Sequence, residues 1–352
     1  MRKAPYAVAA AVLVVCLVAV FLVKRGPVYQ KYTDSFFDTF DTVVTVVAYT
    51  KNKAEFDSYF EKIHARMQEL HRMYDIYNSY PGLNNVKTIN DMAGKAPVKV
   101  NKEIIDLILF SKDWYQKTGG ATNIAMGSVL RIWHDYREAG QADPESAKIP
   151  PMEDLVRAAQ HTDIEKVVVD ATNSTVYLAD PEMSLDVGAV AKGFATELVM
   201  REMADAGLKS ALISSGGNIR GIGKPLDGVR ESWSVGIQDP AKSIFSEDNL
   251  LGVVQVTDGS VATSGGYQRY YIVDDKVLHH LIDPKTLMPA DYYQSVSIMA
   301  SDAGVTDFMS TTAFLLPYEA SRKVVESVNV DALWVFPDGR IEMTPGMRAV
   351  FK

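Results

Sequence analysis

The chain has 352 residues, 47% of them hydrophobic and 23% charged, with a formal net charge of −8 at pH 7. That length allows one large or two smaller folded units, and the apolar content supports a sizeable core, which excludes a disordered chain. The acidic balance, with no basic patch and no interleaving of aromatic and basic residues, excludes nucleic acid as a partner.

Residues 4–23 carry no charge, and Arg2, Lys3, Lys24 and Arg25 flank them. Such a run reaches about 30 Å as a helix, the thickness of a hydrocarbon core. No small-residue cleavage site ends it as in a signal peptide. The expectation is an N-terminal membrane helix over 1–25, a linker over 26–35 and one catalytic unit over 36–352. The body would then lie on the extracytoplasmic side of the cell membrane. Cys16, the only cysteine, follows Val15 in mid-run, a poor lipidation context, and leaves the body without a disulfide.

Val-rich residues 42–49 read as a strand. Phe56, Tyr59, Phe60, Ile63, Met67, Leu70 and Met73 recur at helical spacing with one buried stripe. Asn101 is placed to cap a helix carrying Ile104, Ile105, Ile108 and Trp114, with Gly119 and Gly120 at its end. Residues 141–151 read as a polar loop, and 167–170 with 175–178 as a hairpin. A helix over 189–206 stops at Gly207. Strands follow at 211–214, 233–238, 251–256, 270–273 and 295–299. A helix over 307–315 and a hairpin within 332–343 close the chain. Helices and strands in this mixed order predict an α+β fold.

Asp307 and Thr311 sit four apart, so one helix face presents a carboxylate and a hydroxyl. That pair suits a hard cation such as Mg²⁺, which keeps positions for substrate phosphate. Leu185–Gly193 reads as a strand entering a turn and a helix, whose N-terminus attracts anions. There Asp186 and Lys192 carry charge, and the Ala189 carbonyl completes a metal site. Residues 214–220, Ser-Ser-Gly-Gly-Asn-Ile-Arg, read equally as a backbone nest for an anion or as a Gly-rich turn, and Thr263-Ser-Gly-Gly266 with Arg269 is similar. The pair His279-His280 supplies a candidate general base; neighbours on a strand face opposite ways, and His280 is the choice. Tyr77 and Ala121-Thr122-Asn123 fall in loops suited to lining a site, with Tyr77 placed to pack on a flat ring.

These elements, in this order, resemble the ApbE family of flavin transferases. The likeness rests on Tyr77, residues 119–127, 185–193, 215–220, 262–269 and 280–284, and Asp307 with Thr311. It implies a T-fold-related single catalytic unit built around a flavin-dinucleotide site. It implies transfer of FMN from FAD, with Mg²⁺, to a Thr or Ser hydroxyl of a partner redox protein, releasing AMP. By this resemblance Phe40, Tyr77, Ala121, Thr122, Asn123, Asp186, Lys192 and Ile282 bind FAD. Ala189, Asp307 and Thr311 hold the metal, and His280 is the base. Two positions depart from the family pattern: Thr122-Asn123 replace a common Phe-Asp, and Leu287 replaces a common Gly. FAD pyrophosphatase activity and flavin binding without chemistry remain alternative readings, and a homodimer is left open.

Overall fold

Across the residues described by this computed structural model, 28–243, 245–246, 248–267 and 269–352, eight strands form one antiparallel sheet. They lie side by side in the order in which the chain visits them. They are β1 (Gln30–Thr39), β2 (Thr42–Thr50), β3 (Ala211–Ser215), β4 (Asn218–Ile222), β5 (Ser260–Gly265), β6 (Ser295–Ala300), β7 (Asp331–Val335) and β8 (Ile341–Met343). Alternation sets their faces: β3 buries Ala211, Ile213 and Ser215 and half-exposes the residues between. The hairpin Val167–Asp170/Thr175–Leu178 forms with the expected register, Val167 opposite Leu178 and Asp170 opposite Thr175.

One face of the sheet carries the main core. The helix Lys53–Tyr74 lays Phe56, Ile63, Met67, Leu70 and Met73 on it, as their spacing predicts. The helices Ala191–Asp205 and Ala303–Phe314 join the same core, the latter buried along nearly its whole length. The opposite face is covered by the hairpin Trp233–Gln238/Leu250–Val256 and the helix Pro345–Val350, through Val235, Val254, Leu333 and Met347. A third, smaller core gathers the helix Gly127–Ala142, the helix Met152–Ala159 and the hairpin Tyr270–Val273/Lys276–His279 around Trp133, Leu155, Tyr271 and Leu278.

Several expectations are corrected. The segment 26–35 is not a linker throughout: from Gln30 it is β1, paired with β2 from Gln30↔Thr50 onward. Its pattern misled because β1 is an edge strand that buries only Phe36 and Thr39. Residues 214–220 are not an anion nest. Ser215 pairs with Asn218 across Gly216 and Gly217, both with positive φ (55° and 90°), so the glycines close a hairpin. Thr263 and Ser264 lie in β5 opposite Ser297 and Val296. The late helix begins at Ala303, where the Asp302 side chain accepts from the Val305 N–H. Asn101 takes the cap position without a side-chain cap bond. The expected membrane helix and Cys16 lie outside the described residues, within which no helix is long and apolar enough to cross a membrane.

Candidate active site

Two helices meet at the centre of the site, and Gly193 lets them. A Cβ at this position would lie 2.2 Å from the Ala303 carbonyl oxygen and 2.4 Å from the Asp307 Cβ. Gly193 is the third residue of the helix Ala191–Asp205, so its N–H is one of the first-turn donors that find no acceptor inside the helix. It donates instead to Asp307 Oδ2 at 2.8 Å. Ala189 precedes the N-cap Val190, so its carbonyl oxygen lies outside the hydrogen-bond ladder of the helix. A second clasp lies one turn on: buried Glu197 accepts from the Ala303 N–H at 2.8 Å, from Arg220 Nε at 2.9 Å and from Arg201 Nε at 2.7 Å. Arg220 is therefore a structural partner of Glu197, not a phosphate ligand.

Asp307 and Thr311 are both buried, on one face of the late helix. Burial pushes the Asp307 carboxyl up, against the opposing pull of Lys192, the Gly193 N–H and the Asn218 side chain. A carboxylate in this position favours a cation that would replace the lost water. Among the described residues no three His, Cys, Asp or Glu side chains cluster. The pair Asp307 and Thr311 offers one carboxylate and one hydroxyl, both hard oxygens. It fits a cation such as Mg²⁺ that takes its remaining ligands from phosphate and water.

Around this corner the main core meets the smaller one, and Asp186, His280, Lys192, Arg137 and Arg269 come within electrostatic reach of one another there; this meeting place is the candidate cleft. Asp186 and His280 keep intermediate exposure, yet both titrate as groups deep in protein. Three cations crowd the cleft: Arg269, Lys192 and Arg137 all act on His280, and Lys192 and Arg137 act on Asp186. Arg137 Nη2 lies 2.9 Å from His134 Nδ1, and the His134 ring lies 5.1 Å from that of Tyr77. This concentration of positive charge, in a chain that is acidic overall, suits a diphosphate.

The two histidines separate as strand geometry demands. His279 turns inward: its Nε2 lies 2.8 Å from the Ala290 carbonyl, its Nδ1 accepts from the Leu281 N–H, and its ring packs edge-on against Phe314. His280 turns to the cleft. Its Nδ1 lies 3.3 Å from the Arg269 carbonyl, which can only accept, so Nδ1 carries the proton and Nε2 is an open base. Burial first, and the charge of Arg269 next, push its pKa down to about 3, so it is neutral at physiological pH.

The remaining candidates form the rim. Phe40 stands in the β1–β2 turn with φ 54°, uncommon for a bulky side chain. The N–H of Phe40 donates to His71 Nδ1 at 3.2 Å, and the Phe40 ring packs on His71 and Tyr74. Tyr77 is half exposed, and Asp75 fixes its backbone by accepting its N–H at 2.6 Å. Crowding by protein, followed by the Asp186 charge, raises the Tyr77 hydroxyl to about 12, so it stays a donor. Ala121 is buried. The Thr122 hydroxyl donates to Thr312 Oγ1 (2.9 Å), whose own proton goes to the Phe308 carbonyl. Asn123 accepts from the Ala125 N–H and donates to the Thr162 carbonyl. These bonds tie the loop to the protein. The Ile282 side chain is buried in the smaller core, and its backbone bridges to Pro289. A cavity of about 560 Å³ beside Tyr318, Arg322 and Arg348 shares no residue with this site.

The ApbE family model matches residues 40–334. The chain belongs to the ApbE family. A FAD:protein FMN transferase of Treponema pallidum is 33% identical over 324 residues, covering 87% of this chain and 85% of that protein. One of Klebsiella pneumoniae is 29% identical, with 84% and 88% covered. The crystal structure of the ApbE protein of Thermotoga maritima superposes with a TM-score of 0.80 at 27% identity, covering 92% of this chain and all of the other. The mixed α+β fold is thus the ApbE fold.

Against the family pattern, Leu287 is instructive. It replaces a common Gly while keeping a left-handed backbone, φ 60°. Leu287 is buried in the smaller core, and its carbonyl accepts from Trp133 Nε1 at 2.9 Å. Leu287→Gly would relieve about 1–2 kcal/mol of left-handed strain. It would also forfeit a buried leucine, which costs about 2–5 kcal/mol even when truncated only to alanine. A net loss of up to about 4 kcal/mol is expected from denaturant midpoints, and a variant more stable than the parent would show that strain dominates.

Sequence reasoning missed His134, Arg137 and Asn218. The first two lie on the helix Gly127–Ala142, whose buried Val129 and Trp133 recur at helical spacing and were the available signal. Asn218 sat inside the ambiguous 214–220 segment.

Proposed function

We propose that this chain transfers FMN from FAD to a Thr or Ser hydroxyl of a partner protein and releases AMP, with Mg²⁺ bound at Asp307, Thr311 and the Ala189 carbonyl. The observation that carries the reading is a juxtaposition. An oxygen donor set for a hard cation, three cations for a diphosphate and one histidine with an open Nε2 share a single cleft. The names of the relatives in Treponema pallidum and Klebsiella pneumoniae support the same activity.

Arg137, Arg269 and Lys192 would hold the diphosphate of FAD, and Tyr77 with Phe40 and the 121–123 loop would bound the flavin. Asp186 would orient Lys192 and the first helical turn. His280 Nε2 accepts the proton of the acceptor hydroxyl as its oxygen bonds to the FMN phosphorus. The diphosphate P–O bond breaks, and AMP leaves. Bound Mg²⁺ supplies charge neutralisation where negative charge develops on the bridging phosphates. Catalysis is then mainly positioning and electrostatics. The uncharged run 4–23 would tether the body to a membrane, near acceptors on its outer face.

The test is to co-express the chain with candidate membrane redox proteins and seek an FMN adduct on Thr or Ser by mass spectrometry. An adduct that requires both FAD and Mg²⁺ is expected. Free FMN formed without any acceptor would establish pyrophosphatase activity instead. Intact FAD after prolonged incubation with Mg²⁺ in the presence of the candidate acceptors would reduce the chain to a flavin binder.

A further inference from the structure

Four hydroxyl side chains lie on the helix Ala303–Phe314, and one behaves differently. Thr306 donates to the Ala303 carbonyl at 3.0 Å, Ser310 to the Asp307 carbonyl at 2.9 Å and Thr312 to the Phe308 carbonyl at 3.0 Å. These are the usual back-bonds of helical Ser and Thr. Thr311 makes none. Its hydroxyl lies instead 3.3 Å from Ser264 Oγ on β5, and Ser264 Oγ lies 2.8 Å from Ser310 Oγ.

Each hydroxyl has one proton, so the direction of this chain of bonds is determined. A carbonyl only accepts, so the Ser310 proton goes to Asp307. Ser310 Oγ must then accept, and Ser264 gives it its proton. Ser264 Oγ is left as an acceptor, and Thr311 fills it. The Thr311 proton is thus drawn toward β5, and its lone pairs are left for a cation.

We infer that Ser264 is a positioning residue for the cation site: by taking the Thr311 proton, it aims the Thr311 oxygen at the metal. This rests on the reading that Asp307 and Thr311 hold a divalent ion. Partners of metal ligands commonly change metal affinity by about 10–100-fold when removed.

The test is a titration of the full-length protein with Mn²⁺, following the free-ion electron paramagnetic resonance signal, alongside thermal unfolding. Ser264→Ala is expected to weaken Mn²⁺ binding by about tenfold or more. Ser264→Thr, which keeps the hydroxyl, should restore it. Ser310→Ala offers a second reading, since Ser264 then loses its acceptor and its proton competes for the Thr311 oxygen; weaker binding is expected there too. In transfer assays Ser264→Ala should raise the Mg²⁺ needed for half-maximal rate and leave the rate at saturating Mg²⁺ near that of the parent. Parental Mn²⁺ affinity in Ser264→Ala, with binding lost in Asp307→Ala, would overturn the role of Ser264 alone. Parental affinity in Asp307→Ala would overturn the cation site and this inference together.

Discussion

Asp307→Ala is expected to lower FMN transfer by about 10³-fold or more at saturating Mg²⁺, since a metal supplies several kcal/mol of charge stabilisation and about 4 kcal/mol is a thousandfold in rate. Among the described residues no group of three or more His, Cys, Asp or Glu side chains offers a second metal centre. The same side chain makes a thermodynamic prediction with a definite sign. Its folded pKa is raised above the ordinary 3.8, chiefly by burial. The stability it contributes is full below about 3.8 and is lost as pH rises through the folded value, so at neutral pH and without metal the buried carboxylate is a liability. Mg²⁺ should therefore raise the melting temperature of the parent and leave that of Asp307→Ala unmoved. In metal-free buffer at neutral pH, Asp307→Asn should be at least as stable as the parent. Transfer within tenfold of the parent, or a Mg²⁺-dependent rise in the melting temperature of Asp307→Ala, would remove Asp307 from the metal site.

The parts of this site that were legible in the sequence are those set by local geometry. Asp307 and Thr311 are brought onto one face by a single helical turn, and His280 diverges from His279 where the strand Lys276–His279 ends, so spacing gives their placement while their roles come from the family resemblance. The parts that were not legible depend on which distant partner a residue finds. Gly216 and Gly217 serve a hairpin as well as an anion nest, and nothing near Arg220 announces that Glu197 will claim it. Asn218 reaches Asp307 only because β4 passes beneath the late helix. The cations of the cleft come from Arg137, Lys192 and Arg269, on three elements that meet only after the smaller core has packed against the larger. β1 escaped because an edge strand with two buried residues carries little hydrophobic pattern.

His280→Ala is expected to cut the turnover number by about 10²–10⁴-fold, the range for loss of a general base, while FAD still binds. Its pH behaviour separates a base from a structural histidine. In the free protein burial and the nearby cations hold His280 near 3 rather than 6.5, so it is already neutral through the mildly acidic range. Since kcat/KM reports the free enzyme, its acid limb should not fall at the usual histidine pKa. FAD brings negative charge against Arg269, Lys192 and Arg137, cancelling the repulsion that depresses His280 and raising its pKa in the complex. The limb in kcat, which reports that complex, should therefore lie at higher pH than the limb in kcat/KM and should vanish in His280→Ala. Burial alone would not yield this ordering, because closing the cleft over a ligand desolvates the imidazole further and would move the limb the opposite way. A kcat limb at or below that of kcat/KM would mean that Nε2 of His280 is not the proton acceptor, whatever the loss of rate in the alanine variant.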